Sequence, residues 1–271
     1  MNKRGFTLIE LLVVIAIVGI LSSVIYMNIT GIRDRARVTA GIRFDSSTLH
    51  SIGDQLVGEW LFDTNTSPTL DTSGSGNNGT LIGSPTWQET GGYNNKGAYS
   101  FNGSSNHIDL GNSSVFDITN TITISLWVKF SVGKTTEIIG KFNNANTAIG
   151  AYEIYQNSNN KIGFSTVETG SGRTLLSASI VPLNTWTHIV ATSDGIKKRI
   201  FINGVQDQYT QTIISQLDVT TGKLLIGSYL DNSYAFNGLI DNIRIYSSAL
   251  SGSEVQKLYA EGKTSHEIAT E

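Results

Sequence analysis

Several groups of residues have the types and spacing to do chemistry. Glu10 sits near the start of an apolar run, Phe6 to about Ile29, that follows Lys3 and Arg4. A carboxylate at membrane depth is costly alone and tolerable beside an ammonium. Further along, Asp71, Asn77 and Asn78 lie in the glycine-punctuated loop Asp71–Gly79, and Asp241 lies in an apolar strand. By strict alternation Asp241 shares a face with Leu239, Ile243 and Ile245, which predicts that it points toward the core. This oxygen-rich set without sulfur suits Ca²⁺. The same residues without a metal make an Asx-turn at Asp71 and a hydrogen-bonded carboxylate at Asp241. A third group, Tyr229, Asp231, Asn232, Tyr234 and Phe236, gathers aromatic rings and hydrogen-bonding groups in one loop. It suits stacking on a sugar, or ordinary loop packing.

Catalytic patterns are missing. Paired carboxylates of a glycan-cleaving strand would read Glu-x-Asp or a close variant, and none occurs. Glu59 and Asp63 share a strand face but stand about 13 Å apart, beyond either hydrolytic spacing. There is no Gly-x-Ser-x-Gly and no phosphate loop, and zero cysteines exclude thiolate metal sites and cysteine nucleophiles. His188 alternates with Trp186 and Val190 as a packed strand residue; His50, His107 and His266 form no metal spacing with it. Trp60, Trp127 and Trp186 also fall in strands and read as core. We therefore expect no enzyme.

The elements that must position these groups differ sharply along the chain. The 271 residues carry 19 Lys+Arg against 22 Asp+Glu, so no field of positive charge seeks nucleic acid. The run from Phe6 makes a helix of about 36 Å, enough to span a bilayer core. The following segment, with Arg33, Arg35, Arg37 and Arg43, keeps an imperfect helical spacing and predicts one helix over 6–53, a solvated basic face beyond the membrane part. From about Gly58 the period becomes two. Thr121–Phe130 alternates Ile122, Ile124, Leu126, Val128 and Phe130 against Thr123, Ser125, Trp127 and Lys129, and Asn203-Gly204 marks a hairpin turn. Some dozen short strands with Gly/Asn/Ser turns predict a single all-β sandwich over 58–262, with no room for a second domain. A short helix follows, opened by the capping-box residues Ser251 and Glu254 and stopped at Gly262, before a tail over 263–271.

Two resemblances sharpen this. Arg4-Gly5-Phe6-Thr7-Leu8-Ile9-Glu10, followed by the apolar run, closely resembles the leader and N-terminus of type IV prepilins and the related pseudopilins. The resemblance implies a leader over 1–5, cleavage after Gly5 by a prepilin peptidase, and methylation of Phe6. It also implies that Glu10 neutralises the N-terminal amine of a neighbouring subunit during assembly. A helix-breaking proline found in many major pilins is absent between Ser22 and Met27.

The second resemblance runs through Gly58–Asp63, Asp71–Gly79, Ala98–Gly103, Asn184–Val190, Asn203-Gly204 and Gly238–Tyr246, in order. These segments look like a laminin-G-like, concanavalin A-like jelly roll. That family implies a calcium held by a loop of the Asp71 kind and a late acidic residue, here Asp241. The fold class expected is a long N-terminal α-helix, then an all-β jelly-roll sandwich, then a short C-terminal helix. The function expected is a pilin-like subunit, single-pass in the cytoplasmic membrane before assembly and on a surface filament afterwards. It would polymerise with other pilin subunits and display a head that binds a glycan or a surface protein. The alternatives are a pseudopilin of a type II secretion-like system and, more remotely, a glycan-active enzyme.

Overall fold

The computed structural model describes residues 55–143, 149–229 and 231–269. The expected N-terminal helix and leader lie outside the described residues. In chain order the strands are β1 (Leu56–Trp60), β2 (Thr80–Ile82), β3 (Thr86–Gln88), β4 (Ala98–Asn102), β5 (His107–Asp109), β6 (Ile122–Phe130), β7 (Thr136–Phe142), β8 (Ile149–Gln156), β9 (Lys161–Glu168), β10 (Ser171–Ile180), β11 (Thr187–Ser193), β12 (Lys197–Ile202), β13 (Val205–Thr212), β14 (Leu224–Ile226) and β15 (Asn237–Tyr246). Helix α1 spans Gly252–Ala269.

The strands form two antiparallel sheets. One runs β13-β12-β11-β6-β15-β4-β3, with β1 also paired to β15; the other runs β10-β9-β8-β7-β14-β5-β2. Alternation explains the layering. Ile122, Ile124, Leu126, Val128 and Phe130 of β6 face the inner layer, where they meet Ile154, Ile162 and Phe164 of β8 and β9. Every member of this core falls between Trp60 and Ile245. The unit Gln55–Glu271 therefore owns a complete core, the requirement for a domain that folds alone.

The outer face of the first sheet is buried as well. Ser125 and Trp127 of β6 and His188 of β11 are each at most 3% exposed. Trp127 is clamped between Tyr93, stacked at 3.4 Å, and Tyr259 of α1, at 5.7 Å. The capping box holds as the sequence predicts: the Ser251 N–H donates to Glu254 Oε2 at 2.7 Å, and the Glu254 N–H to Ser251 Oγ at 3.4 Å. Gly262, expected as the stop, is instead inside α1. A Cβ there would lie 2.9 Å from Trp127 Nε1, so glycine is what lets the helix settle on the indole.

An alanine in a helix interior normally gains about 0.5–1 kcal/mol over glycine. At Gly262 the clamped indole cannot yield, so Gly262→Ala should instead cost about 1–3 kcal/mol through overpacking. Urea titration of the head, residues 55–271, measures the sign directly.

Candidate functional site

Four adjacent strands of the second sheet build a recess on its outer face. Glu137 stands on β7, Glu153 and Tyr155 on β8, Ser165 on β9 and Thr174 on β10. Register aligns them: Glu137 faces Tyr155, and Glu153, Ser165 and Thr174 form one cross-strand row. Their neighbours Ile154 and Phe164 point the opposite way, into the core. Gly163 lies across from Tyr155, and any side chain there would strike the tyrosine ring, so glycine makes room for it. The loop after β14 walls the recess with Tyr229, Asp231, Ser233 and Tyr234, enclosing about 600 Å³.

That loop is anchored to the sheet. Tyr234 O accepts the Glu137 N–H at 2.7 Å and the Thr136 hydroxyl at 3.1 Å. Asn232 and Tyr234 take left-handed backbone at φ 62° and 54°, an uncommon conformation for a bulky residue such as tyrosine. The Tyr229 and Tyr234 rings meet at 6.3 Å and 82°, forming a right-angled corner.

The electrostatics of the recess follow from desolvation. Glu137 and Glu153 are 4% and 7% exposed. Burial, reinforced by the neighbouring Glu153, holds Glu137 well above the usual carboxylate range. Burial also raises Glu153 to about 7, against a hydrogen bond from Ser165. Glu137 Oε1 has no hydrogen-bond partner in the protein.

Of the loop residues singled out by sequence, Tyr229, Asp231 and Tyr234 line this recess. Phe236 does not: it is fully buried, packed on Phe101 and Phe130. Asn232 turns away, its backbone N–H closing onto Tyr229 O and its side chain on His107. Sequence reasoning missed Glu137 and Glu153. A lone glutamate within TEIIGKF or AYEIYQ is a visible oddity, but only strand pairing places the two side by side.

Of the residues expected to bind calcium, Asp71, Asn77 and Asn78 make hydrogen bonds within the protein. Asp71 Oδ1 accepts the N–H groups of Glu59 and Ser73, and Oδ2 that of Asn77, all within 3.0 Å. Partial burial works against its ionised form, but the Ser73 side chain and these N–H groups outweigh it and lower its pKa. Asn78 Oδ1 accepts the Asp71 N–H, and the Asn77 amide donates to Val57 O. The loop is an Asx-type lock whose oxygens face backbone donors, which does not fit a cation. Asp241 belongs elsewhere. β15 carries an extra residue between Asp241 and Arg244 relative to β6, with Asn242 at φ 48°. This bulge shifts the phase, so Ile243 and Ile245 face the core while Asp241 lies on the outer face among Tyr93, Asn94, Trp127 and Gly262. Among the described residues, no cluster of three His, Cys, Asp or Glu is placed to hold a metal.

Asp241 is 1% exposed and accepts the Tyr93 N–H on Oδ2 at 3.0 Å; its other oxygen and Asn242 Oδ1 are unpartnered. Burial, set against the Tyr93 hydrogen bond and aided by nearby Asp63, pushes its pKa up to about 8. The carboxylates of the expected enzyme test are structural: Glu59 pairs with Arg244 at 2.7 Å and Asp63 with Lys96 at 2.8 Å.

An antiparallel two-sheet sandwich with a recess across one outer sheet face is the class that these elements define. Residues 102–256 match the family described as Concanavalin A-like lectin/glucanases superfamily, and residues 1–26 match the Prokaryotic N-terminal methylation motif. The chain belongs to the Concanavalin A-like lectin/glucanases superfamily, and it carries a type IV prepilin motif at its N-terminus. No curated protein matches it.

Among solved structures it is similar to domain 4 of AbnA, a GH43 extracellular arabinanase from Geobacillus stearothermophilus solved with arabinotriose. The identity is 23% over 76% of this chain and 98% of that one, with a TM-score of 0.58. The binding domain of Paraclostridial Mosquitocidal Protein 1 gives 16%, 77%, 52% and 0.61. Botulinum neurotoxin type C, which depends on two ganglioside molecules to get into cells, gives 17%, 79%, 53% and 0.61. The match thus spans about half the length of those toxin chains, and at these identities it shows the fold.

Folded Asp241 holds its proton up to about pH 8, whereas the unfolded chain releases it at the ordinary aspartate value of 3.8. The contribution of Asp241 to stability therefore falls as pH rises from the lower value to the upper one. Asp241→Asn keeps an acceptor for Tyr93, adds N–H donors and removes the titration. Its melting temperature should exceed that of the parent head by more at pH 8 than at pH 5, with EGTA shifting neither protein. A lower melting temperature for the variant, or an EGTA effect abolished by it, would restore a cation at Asp241.

Proposed function

We propose that the protein is a pilin-like filament subunit whose head binds carbohydrate in the recess of the second sheet. The observation that carries this is the recess itself: about 600 Å³ walled by Tyr155, Tyr229 and Tyr234, with Glu137, Glu153, Ser165 and Thr174 across its floor. Tyrosine faces give sugar C–H surfaces an apolar platform, while carboxyl and hydroxyl groups exchange hydrogen bonds with sugar hydroxyls. Arabinotriose in the complex of the AbnA domain supports this ligand class, and the type C toxin, about half of which matches this chain, depends on gangliosides for cell entry. The head reaches the surface through the N-terminal motif: the peptidase cleaves after Gly5, and Phe6 with Glu10 directs assembly with other pilin subunits. A surface-protein ligand and a pseudopilin role remain the competing assignments.

A glycan array probed with the head should show saccharide binding. Tyr234 is 56% exposed, so Tyr234→Ala should leave folding intact and weaken binding by about 1.5–3 kcal/mol, the scale of burying one aromatic side chain against apolar surface. Silence across the array would leave the head as a spacer or protein-binding module.

The Glu137–Glu153 pair favours one further reading, hydrolysis, because two buried carboxyl groups sharing one recess resemble an acid and a base. Release of reducing ends from a bound saccharide, lost in Glu153→Gln, would establish it; binding without cleavage makes the pair a binding device.

Processing is tested on the exported protein. Its mass should begin at N-methylated Phe6, and Glu10→Ala should be cleaved yet fail to enter filaments. Normal filaments from that variant would remove the charge-pairing role of Glu10.

A further inference from the structure

We propose that the ligand of the recess is a saccharide bearing a positively charged amine, seated between the Glu137–Glu153 pair and the Tyr229–Tyr234 corner. The inference rests on the carbohydrate-binding reading above and narrows its substrate class.

The charge of the recess is one-sided. Glu137, Glu153 and Asp231 line it, and among the described residues no Lys, Arg or His does. An acidic sugar would bring a like charge against two buried carboxyl groups and find no cation. A neutral sugar would satisfy hydrogen bonds and leave the electrostatic asymmetry unused. An ammonium supplies both the donors and the opposite charge.

The aromatic geometry points to the same chemistry. Tyr229 and Tyr234 both line the recess, their rings in edge-to-face contact at 82° and 6.3 Å, and the loop holding them is hydrogen-bonded to the Glu137 strand. Two perpendicular rings backed by carboxylates are the arrangement that receives an organic ammonium, attracted to ring faces and desolvated at small cost. Tyr234 adopts left-handed backbone to complete that corner. Glu137 supplies a separate observation: it is almost wholly buried, lines the recess and keeps Oε1 without a partner. A bare metal ion fits less well, since the three carboxylates are not clustered at ligating distance.

Proton linkage follows. Without ligand, burial shifts Glu137 toward its protonated form and raises Glu153 to about 7. A cation favours the ionised form of each, so binding releases protons and tightens as pH rises. Asp231 is ionised throughout the neutral range, its pKa lowered by Ser233, and the tyrosines Tyr155 and Tyr229 titrate well above it.

Calorimetry of the head with matched trisaccharides tests this: a glucosamine trimer, its N-acetylated form, its N-trimethylated form, and a uronic-acid trimer. The glucosamine and N-trimethyl trimers should bind about tenfold tighter than the N-acetylated one, within the range of a desolvated cation–π contact. The uronic-acid trimer should bind most weakly. The N-trimethyl trimer, whose charge does not titrate, should bind more tightly at pH 8 than at pH 5.5 and less tightly as salt is raised. Glu137→Gln with Glu153→Gln should abolish the preference for charge. If that double variant does not fold, Asp231→Asn on the exposed rim should still reduce the preference and its salt dependence. Equal or stronger binding of the N-acetylated trimer, with binding still lost in Tyr234→Ala, overturns the amine inference and leaves carbohydrate binding standing. No binding by any trimer overturns the amine inference, and silence across the glycan array as well overturns carbohydrate binding.

Discussion

Strand β15 holds the head together because three strands depend on it: β6 along one edge, β4 and then β1 along the other. One extra residue in β15 sets what each face carries. Before the bulge Ile240 is inward and Asp241 outward; after it Ile243 and Ile245 are inward and Arg244 outward. Without the shift, a strictly alternating strand would drive Ile243 and Ile245 to the outer face and bring Arg244 into the core, at a cost of several kcal/mol. Asn242 absorbs the irregularity in left-handed backbone, which asparagine tolerates better than most residues.

The two outer faces then meet different fates. On the first sheet, α1 and the loop holding Tyr93 bury Trp127, His188 and Asp241, and the cavity beside Asp241 is about 30 Å³, room for about a water. His188 is neutral there, its pKa pushed down to about 3 by burial and by Arg244. On the second sheet, among the described residues, Tyr229, Asp231, Ser233 and Tyr234 of the loop after β14 wall the recess. The sheets are tied at one end by Lys198 of β12 and Glu168 of β9, both fully buried and 3.9 Å apart. Removing either member would strand a charge, whereas the pair as a unit adds little net stability. The loop beside the recess is pinned to the sheet by hydrogen bonds from β7 to Tyr234 O.

Much was legible in the residues alone. The N-terminal motif depends on contiguous residues, and residues 1–26 match it as a string. The inward face of β6, the capping box of α1 and the sandwich class are local periodicities, which need no knowledge of partners. Tyr229, Asp231 and Tyr234 were legible as aromatic and polar residues of one loop because they are close in sequence, and all three line the recess. Asp71 was legible as a loop carboxylate, and its donors proved to be backbone N–H groups of its own loop and of Glu59.

What the tertiary structure alone decided concerns register. The side of the sheet to which Asp241 points depends on a one-residue bulge, and a period-two pattern cannot reveal a slip of one. Gly262 reads as a helix stop until the indole of Trp127 is placed beneath it, because its role is a close approach between elements 135 residues apart in the chain (262 − 127). Phe236 reads as a loop aromatic until Phe101 and Phe130 close over it. Glu137 and Glu153 lie on separate strands with no motif spacing between them. Local sequence sets which side chains share a face, but long-range antiparallel pairing sets which of them share a site.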